Sequence, residues 1–156
     1  MRDRVPQRLS KATMFSQPVR EVMRRQKLLT APPDTMVIEA TRMMAAENVG
    51  AVMVIAEQAL VGIFTERDAV FRVMARGLDP YATRLADVMT AAPHTIGPER
   101  PFGYALAIMH RHGFRHMPVV DKGKPIGIVS SRHALDPDME EFVSETQRRR
   151  HFEELR

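Results

Sequence analysis

The strongest constraint on this chain is that it repeats itself 65 positions on. Asn48-Val49-Gly50-Ala51-Val52-Met53-Val54-Ile55 lines up with Gly113-Phe114-Arg115-His116-Met117-Pro118-Val119-Val120. Val61-Gly62-Ile63-Phe64-Thr65 lines up with Ile126-Gly127-Ile128-Val129-Ser130. Upstream, Val22-Met23 matches Val88-Met89 at 66 positions, so one residue is gained or lost between the anchors. A unit of roughly 50–60 residues buries too little surface to be comfortable alone. The two copies are therefore expected to share their cores as one compact pseudo-symmetric pair. The expected organisation is a flexible leader over 1–18, a first unit over 19–78, a second over 85–135 and a helical tail over 136–156.

Each copy reads as β-α-β-β-α, so the fold class is α/β in the α+β sense, with a C-terminal helix added. In the first copy a short strand near Leu28-Leu29-Thr30 is punctuated by Pro32-Pro33. A helix from about Met36 to Glu47 puts Val37, Ala40 and Met44 on one face. Ala51 to Ile55 is a continuous apolar run, which suits a strand covered on both faces. Glu57-Gln58 turns the chain and Leu60 to Phe64 returns as a second strand. Thr65 caps a helix to about Arg76, with Gly77 at its C′ position. The second copy predicts a helix over Phe102–His112, strands over Met117–Val120 and Pro125–Val129, a turn at Lys122-Gly123 and a helix start at Ser130. Asp136-Pro137 has the form of an N-cap and N1 pair for the tail helix.

Composition narrows the function classes. The chain has 156 residues and a hydrophobic fraction of 44%, which fits a globular protein with a real core. No apolar run approaches the roughly 20 residues of a membrane span, and no secretory signal is expected over 1–18. Cysteine is absent, so disulfides, thiolate metal sites and cysteine nucleophiles are excluded. The net charge of +4 permits anionic partners without singling out nucleic acid. The basic run Arg148-Arg149-Arg150 lacks the aromatic interleaving of a nucleic-acid surface. A cytoplasmic setting is expected.

The chemistry sits at the helix starts. In Gly62-Ile63-Phe64-Thr65-Glu66-Arg67-Asp68 a strand ends, a hydroxyl residue turns the chain and a helix begins with its N–H groups free, a geometry that favours anions. Thr65 can donate to a phosphate oxygen, and Arg67 can add charge and a forked contact. Asp68 can accept from the two hydroxyls of a ribose, because a carboxylate only accepts. Thr65-x-x-Asp68 equally fits a capping box, in which Asp68 bonds the backbone of Thr65.

The matching residues, taken in order and twice, resemble the CBS-domain family, and the tandem copies are similar to a Bateman module. The carriers are Val-x-x-Val-Met at Val19 to Met23, Asp87-Val88-Met89-Thr90, the segment Arg115 to Asp121 and the two Gly-x-x-[Ser/Thr] returns. The resemblance covers nearly all of 19–135. It implies paired units whose sheets face each other across a pseudo-twofold axis, with two clefts for adenosine-containing ligands such as AMP, ADP, ATP or S-adenosylmethionine. It assigns phosphate to Thr65 and ribose to Asp68, with Ile63, Gly50, Ala51, Thr90, Arg115 and His116 around them, beside the Arg67 read above. In the second copy Ser130 matches, but His133 stands where the carboxylate belongs. Neutral histidine accepts through one nitrogen only, so a weaker second site is expected at Ser130, Arg132, His133 and Arg24. Homodimerisation is also implied.

No catalytic constellation accompanies these residues. Ser130-Ser131 lacks a base and its orienter. His94, His110, His112, His116 and His133 have no carboxylate at ligand spacing, so no metal site is expected. The expected function is a non-enzymatic regulatory module. It binds an adenine nucleotide as regulatory ligand, uses no catalytic cofactor, and relays occupancy to an effector protein. The alternatives are a ligand-free dimerisation scaffold, or a binder of S-adenosylmethionine or NAD.

Overall fold

A computed structural model describes residues 11–23 and 28–134. The expected tail helix over 136–156 and Arg24 lie outside the described residues. The chain runs α1 (Lys11–Ser16), α2 (Val19–Met23), β1 (Thr30–Ala31), α3 (Val37–Glu47), β2 (Ala51–Ala56), β3 (Ala59–Thr65) and α4 (Glu66–Asp68). The helix continues in π register over Ala69–Met74, with Ala75 donating to the Val70 carbonyl. Then come α5 (Leu85–Val88), β4 (Thr90–Ala91), α6 (Phe102–His112), β5 (His116–Asp121), β6 (Lys124–Ser130) and a 3-10 turn over Ser131–Ala134.

The repeat is carried into the backbone. Both hairpins turn on two residues with positive φ, Glu57 and Gln58 at 49° and 64°, Lys122 and Gly123 at 49° and 77°. That is the turn whose twist matches its strands. Each hairpin has an irregularity at the same place, between Val54 and Ile55 and between Val119 and Val120. Asn48 and Gly113 end α3 and α6 in the left-handed region, each supplying one of the two residue types that tolerate it. Gly77 closes the π segment, where its N–H reaches Met74 and that of Leu78 reaches Val73.

The first sheet has the order β1-β2-β3-β4, with β1 parallel to β2 and the other pairs antiparallel. The second is the β5-β6 hairpin, beside which Ile96 makes a single parallel bridge to Val119. Side chains alternate along these strands. Val52, Val54 and Phe64 enter the core under α3, while Ala51 and Ile63 face the other way and meet Ile128 and Leu28. That second cluster is the seam between the copies. Ala51 to Val54 are all buried because one face of β2 packs on the helix and the other on the seam.

The copies exchange their leading segments. Leu85 and Val88, at the start of the second unit, lie in the core of the first with Val37, Met44 and Phe64. Val19 and Val22, at the start of the first, lie in the core of the second with Phe102, Met109 and Met117. The docking bonds repeat as well. Val19 donates to the Arg100 carbonyl at 2.8 Å, and Leu85 to that of Thr35 at 2.9 Å. The sequence units 19–78 and 85–135 are thus interwoven in packing. Within the stretch expected as a flexible leader, Lys11–Ser16 is instead helical and Met14 is buried beside α6. Gly103 explains the docking, because a Cβ there would lie 3.1 Å from the Phe15 carbonyl oxygen.

The exchange depends on missing side chains. A methyl on Gly62 would run into the Met89 thioether, and one on Gly127 would lie 2.6 Å from the Met23 sulfur. Gly62→Ala is expected to lower stability by about 1–3 kcal/mol through overpacking. Adding Met89→Ala should recover part of that loss, so the two changes are non-additive in chemical denaturation. Simple additivity would show that Met89 does not rest on Gly62.

Candidate functional site

Two of the candidate residues, Thr65 and Ser130, stand where β3 and β6 end at the seam. Thr65 is extended, at φ −119° and ψ 164°, and opens the helix that follows. Its N–H donates to Asp68 Oδ2 at 2.9 Å, its hydroxyl donates to the same oxygen at 3.0 Å, and the Asp68 N–H donates to Thr65 Oγ1 at 3.2 Å. The capping box is therefore formed. Asp68 Oδ1 faces Arg72 Nε at 3.4 Å. A carboxylate has about four acceptor positions, so closing the cap leaves capacity on Oδ1 for a further donor.

The second copy builds the same corner from different chemistry. Ser130 is buried, and its N–H donates to His133 Nδ1 at 3.1 Å. His133 thus takes over the capping task of Asp68 through a single acceptor nitrogen. Around both corners one backbone bond recurs. Glu66 donates to the Gly50 carbonyl at 3.0 Å, and Ser131 donates to that of Arg115 at 2.9 Å.

The other expected residues fall into distinct places. Ala51 and Ile63 are buried in the seam with Ile128. Thr90 pairs with Ile63 in the β3-β4 ladder, so both border the same corner. Gly50 lies against the second copy, where a Cβ would be 3.1 Å from Glu66 Oε1 and 3.2 Å from His116 Cε1. Gly50, Glu66 and His116 therefore meet across the seam. Arg115 and Arg132 are exposed. Arg67 is engaged elsewhere. Its Nη1 donates to the Gly113 carbonyl at 2.8 Å, and its guanidinium lies 5.3 Å from the centre of the Phe71 ring. It ties the first copy's cap to the end of α6.

Sequence reasoning missed two residues here. Glu66 sits between Thr65 and Arg67 and supplies the carboxylate beside His116. Arg72 reaches the Val88 and Met89 carbonyls at 3.2 and 2.9 Å as well as Asp68. The i,i+4 spacing from Asp68 was the available signal for it. His94 and His112 stack at 4.3 Å, with Phe114 alongside. Among the described residues no group of three or more His, Asp or Glu is placed to hold a metal ion, and no helix is long and apolar enough to cross a membrane.

Comparison with known proteins adds independent findings. The family model described as the CBS domain matches residues 19–75 and 85–138. A CBS domain-containing protein of Arabidopsis thaliana is 37% identical over 131 residues, covering 83% of this chain and 24% of that protein. The chain thus spans about a quarter of that relative's length. An uncharacterized conserved protein of Pyrococcus horikoshii superposes with a TM-score of 0.72 at 32% identity, over 80% of this chain and 93% of that one. A CBS domain protein of Pyrobaculum aerophilum, solved in complex with AMP, superposes with a TM-score of 0.68 at 26% identity, over 75% and 89%.

His116 carries a pH signature. Burial holds its pKa below the ordinary 6.5, Glu66 pushes it up, and His133, Arg115 and Arg132 push it down. The fold thus favours the neutral ring. Stability is expected to fall as pH drops below about 6.5, where the unfolded chain takes up the proton first, and to level off once the folded pKa is passed. His116→Gln should flatten this part of the curve in thermal melts between about pH 7.5 and 5.5. An unchanged slope would place the titrating group elsewhere.

Proposed function

The chain belongs to the CBS-domain family, as a tandem pair forming a regulatory module, and we propose that it binds an adenosine-containing nucleotide at the corner formed by Thr65 and Asp68. The observation that carries this reading is the intact Thr65/Asp68 pair at the end of β3, with Ile63 and Thr90 beside it. Thr65 would meet the phosphate and Asp68 the ribose. Ile63 and the Met89–Thr90 strap would border the base. The AMP found with the Pyrobaculum aerophilum relative supports this ligand class. The Ser130/His133 corner would be the weaker site, because its cap offers one acceptor in place of a carboxylate. AMP, ADP and ATP lead as ligands, with NAD and S-adenosylmethionine as alternatives.

The same proposal places the module in the cytoplasm, as a homodimer that passes occupancy to an effector. Val70, Phe71 and Met74 project from the helix after β3 with 50%, 57% and 74% exposure, an apolar face that suits a second copy. A ligand at the seam would bias the packing of the two copies by its differential affinity for their arrangements.

A ligand-free scaffold is the second reading. The observation favouring it is that the capping box is closed. Titration calorimetry with AMP, ADP, ATP, NAD and S-adenosylmethionine separates the two. The proposal expects saturable binding of at least one of them, weakened by Asp68→Ala about tenfold or more, the value of one charge-assisted hydrogen bond. It also expects a melting temperature that rises with ligand concentration. No binding at millimolar ligand, together with a lower melting temperature for Asp68→Ala, would leave the scaffold.

A further inference from the structure

Asp68 and the strap that follows α5 are bound by one side chain. Arg72 stands one turn beyond Asp68, with Nε 3.4 Å from Asp68 Oδ1. Its Nη1 donates to the carbonyls of Val88 and Met89 at 3.2 and 2.9 Å. These are the last carbonyls around α5, which have no partner within that helix and attract a cation. Met89 lies over Gly62 and Thr90 pairs with Ile63, so Arg72 grips the strap just where it enters the first sheet. The contacts come from two nitrogens of one planar guanidinium, Nε and Nη1, whose fork makes several directed bonds at once. Lysine, with one ammonium centre, cannot span both partners in the same way.

We infer that Arg72 is the positioning residue of the first site. It fixes the Asp68 carboxylate relative to the Met89–Thr90 strap, and so sets whether a ribose and its base fit together. The inference rests on the nucleotide reading above and adds a residue that need not touch the ligand. It also supplies the physical link for the relay. A ribose hydroxyl bound to Asp68 Oδ1 would join Arg72 on the same oxygen, and Arg72 holds the segment that opens the second copy. The Ser130 corner has no equivalent carboxylate for an arginine to hold.

The test compares AMP with 2′-deoxy-AMP by titration calorimetry on the full chain. The wild type should prefer AMP by about tenfold, the contribution of one charge-assisted hydrogen bond to a ribose hydroxyl. Arg72→Gln should weaken AMP by more than 2′-deoxy-AMP, the excess being about that factor, so that the preference disappears. Arg72→Lys should retain part of it. If Arg72→Gln weakens both nucleotides equally and keeps the preference, Arg72 is only a structural prop and the inference is overturned. Should the glutamine variant fail to fold by circular dichroism, the lysine variant carries the same comparison. A wild type that binds neither nucleotide, or both alike, overturns the ribose reading itself and this inference with it.

Discussion

Each half of this protein has an apolar face that its own leading segment does not cover. The core under α3 is completed by Leu85 and Val88, and the core under α6 by Val19 and Val22. The seam and its glycines follow from that exchange. Because each segment must cross to the opposite copy, the two hairpins are brought together at a seam built on Ala51, Ile63 and Ile128. Because Met23 and Met89 lie over Gly127 and Gly62, those two strand positions have no room for a side chain. Burying large apolar side chains contributes roughly 1.5–3 kcal/mol each, so severing either crossing segment removes a substantial share of a core.

The seam gives two corners of one geometry and unlike chemistry. The backbone bonds from Glu66 to Gly50 and from Ser131 to Arg115 are repeated. So is the contact from the third residue after the turn back to the turning residue. What differs is the acceptor. Asp68 is a carboxylate with capacity beyond its cap, whereas His133 commits Nδ1 to Ser130. Gly50 and Ala51 of one copy also become Arg115 and His116 of the other. The duplication has kept the backbone shape of the corner on both sides and a carboxylate on one.

Much of the fold was legible in the residues. Val37, Ala40 and Met44 were expected on one helix face, and all three are buried there. Helix α6 spans the predicted residues, and both hairpin turns fall on the predicted pairs. These features depend on local periodicity and on turn residues, which leave a direct mark in sequence. The helix at Lys11–Ser16 did not, because its reason lies some ninety residues away at Gly103, where a glycine admits Phe15. The π register over Ala69–Met74 likewise carried no local signal.

At the site, residue types were legible and their engagements were not. Thr65 and Asp68 stood out because a hydroxyl and a carboxylate three apart at a strand end have a short list of physical uses. That Arg67 would turn to Gly113, and Arg72 to Val88 and Met89, depends on which chain end arrives beside it. By itself the sequence determined the repeat, its element order, its turns and the unequal acceptors, since each is a property of neighbours along the chain. Only the tertiary structure decided that leading segments cross, that Gly50, Glu66 and His116 meet, and which carbonyls each arginine holds. Those are contacts between residues far apart in sequence, and no local propensity specifies them.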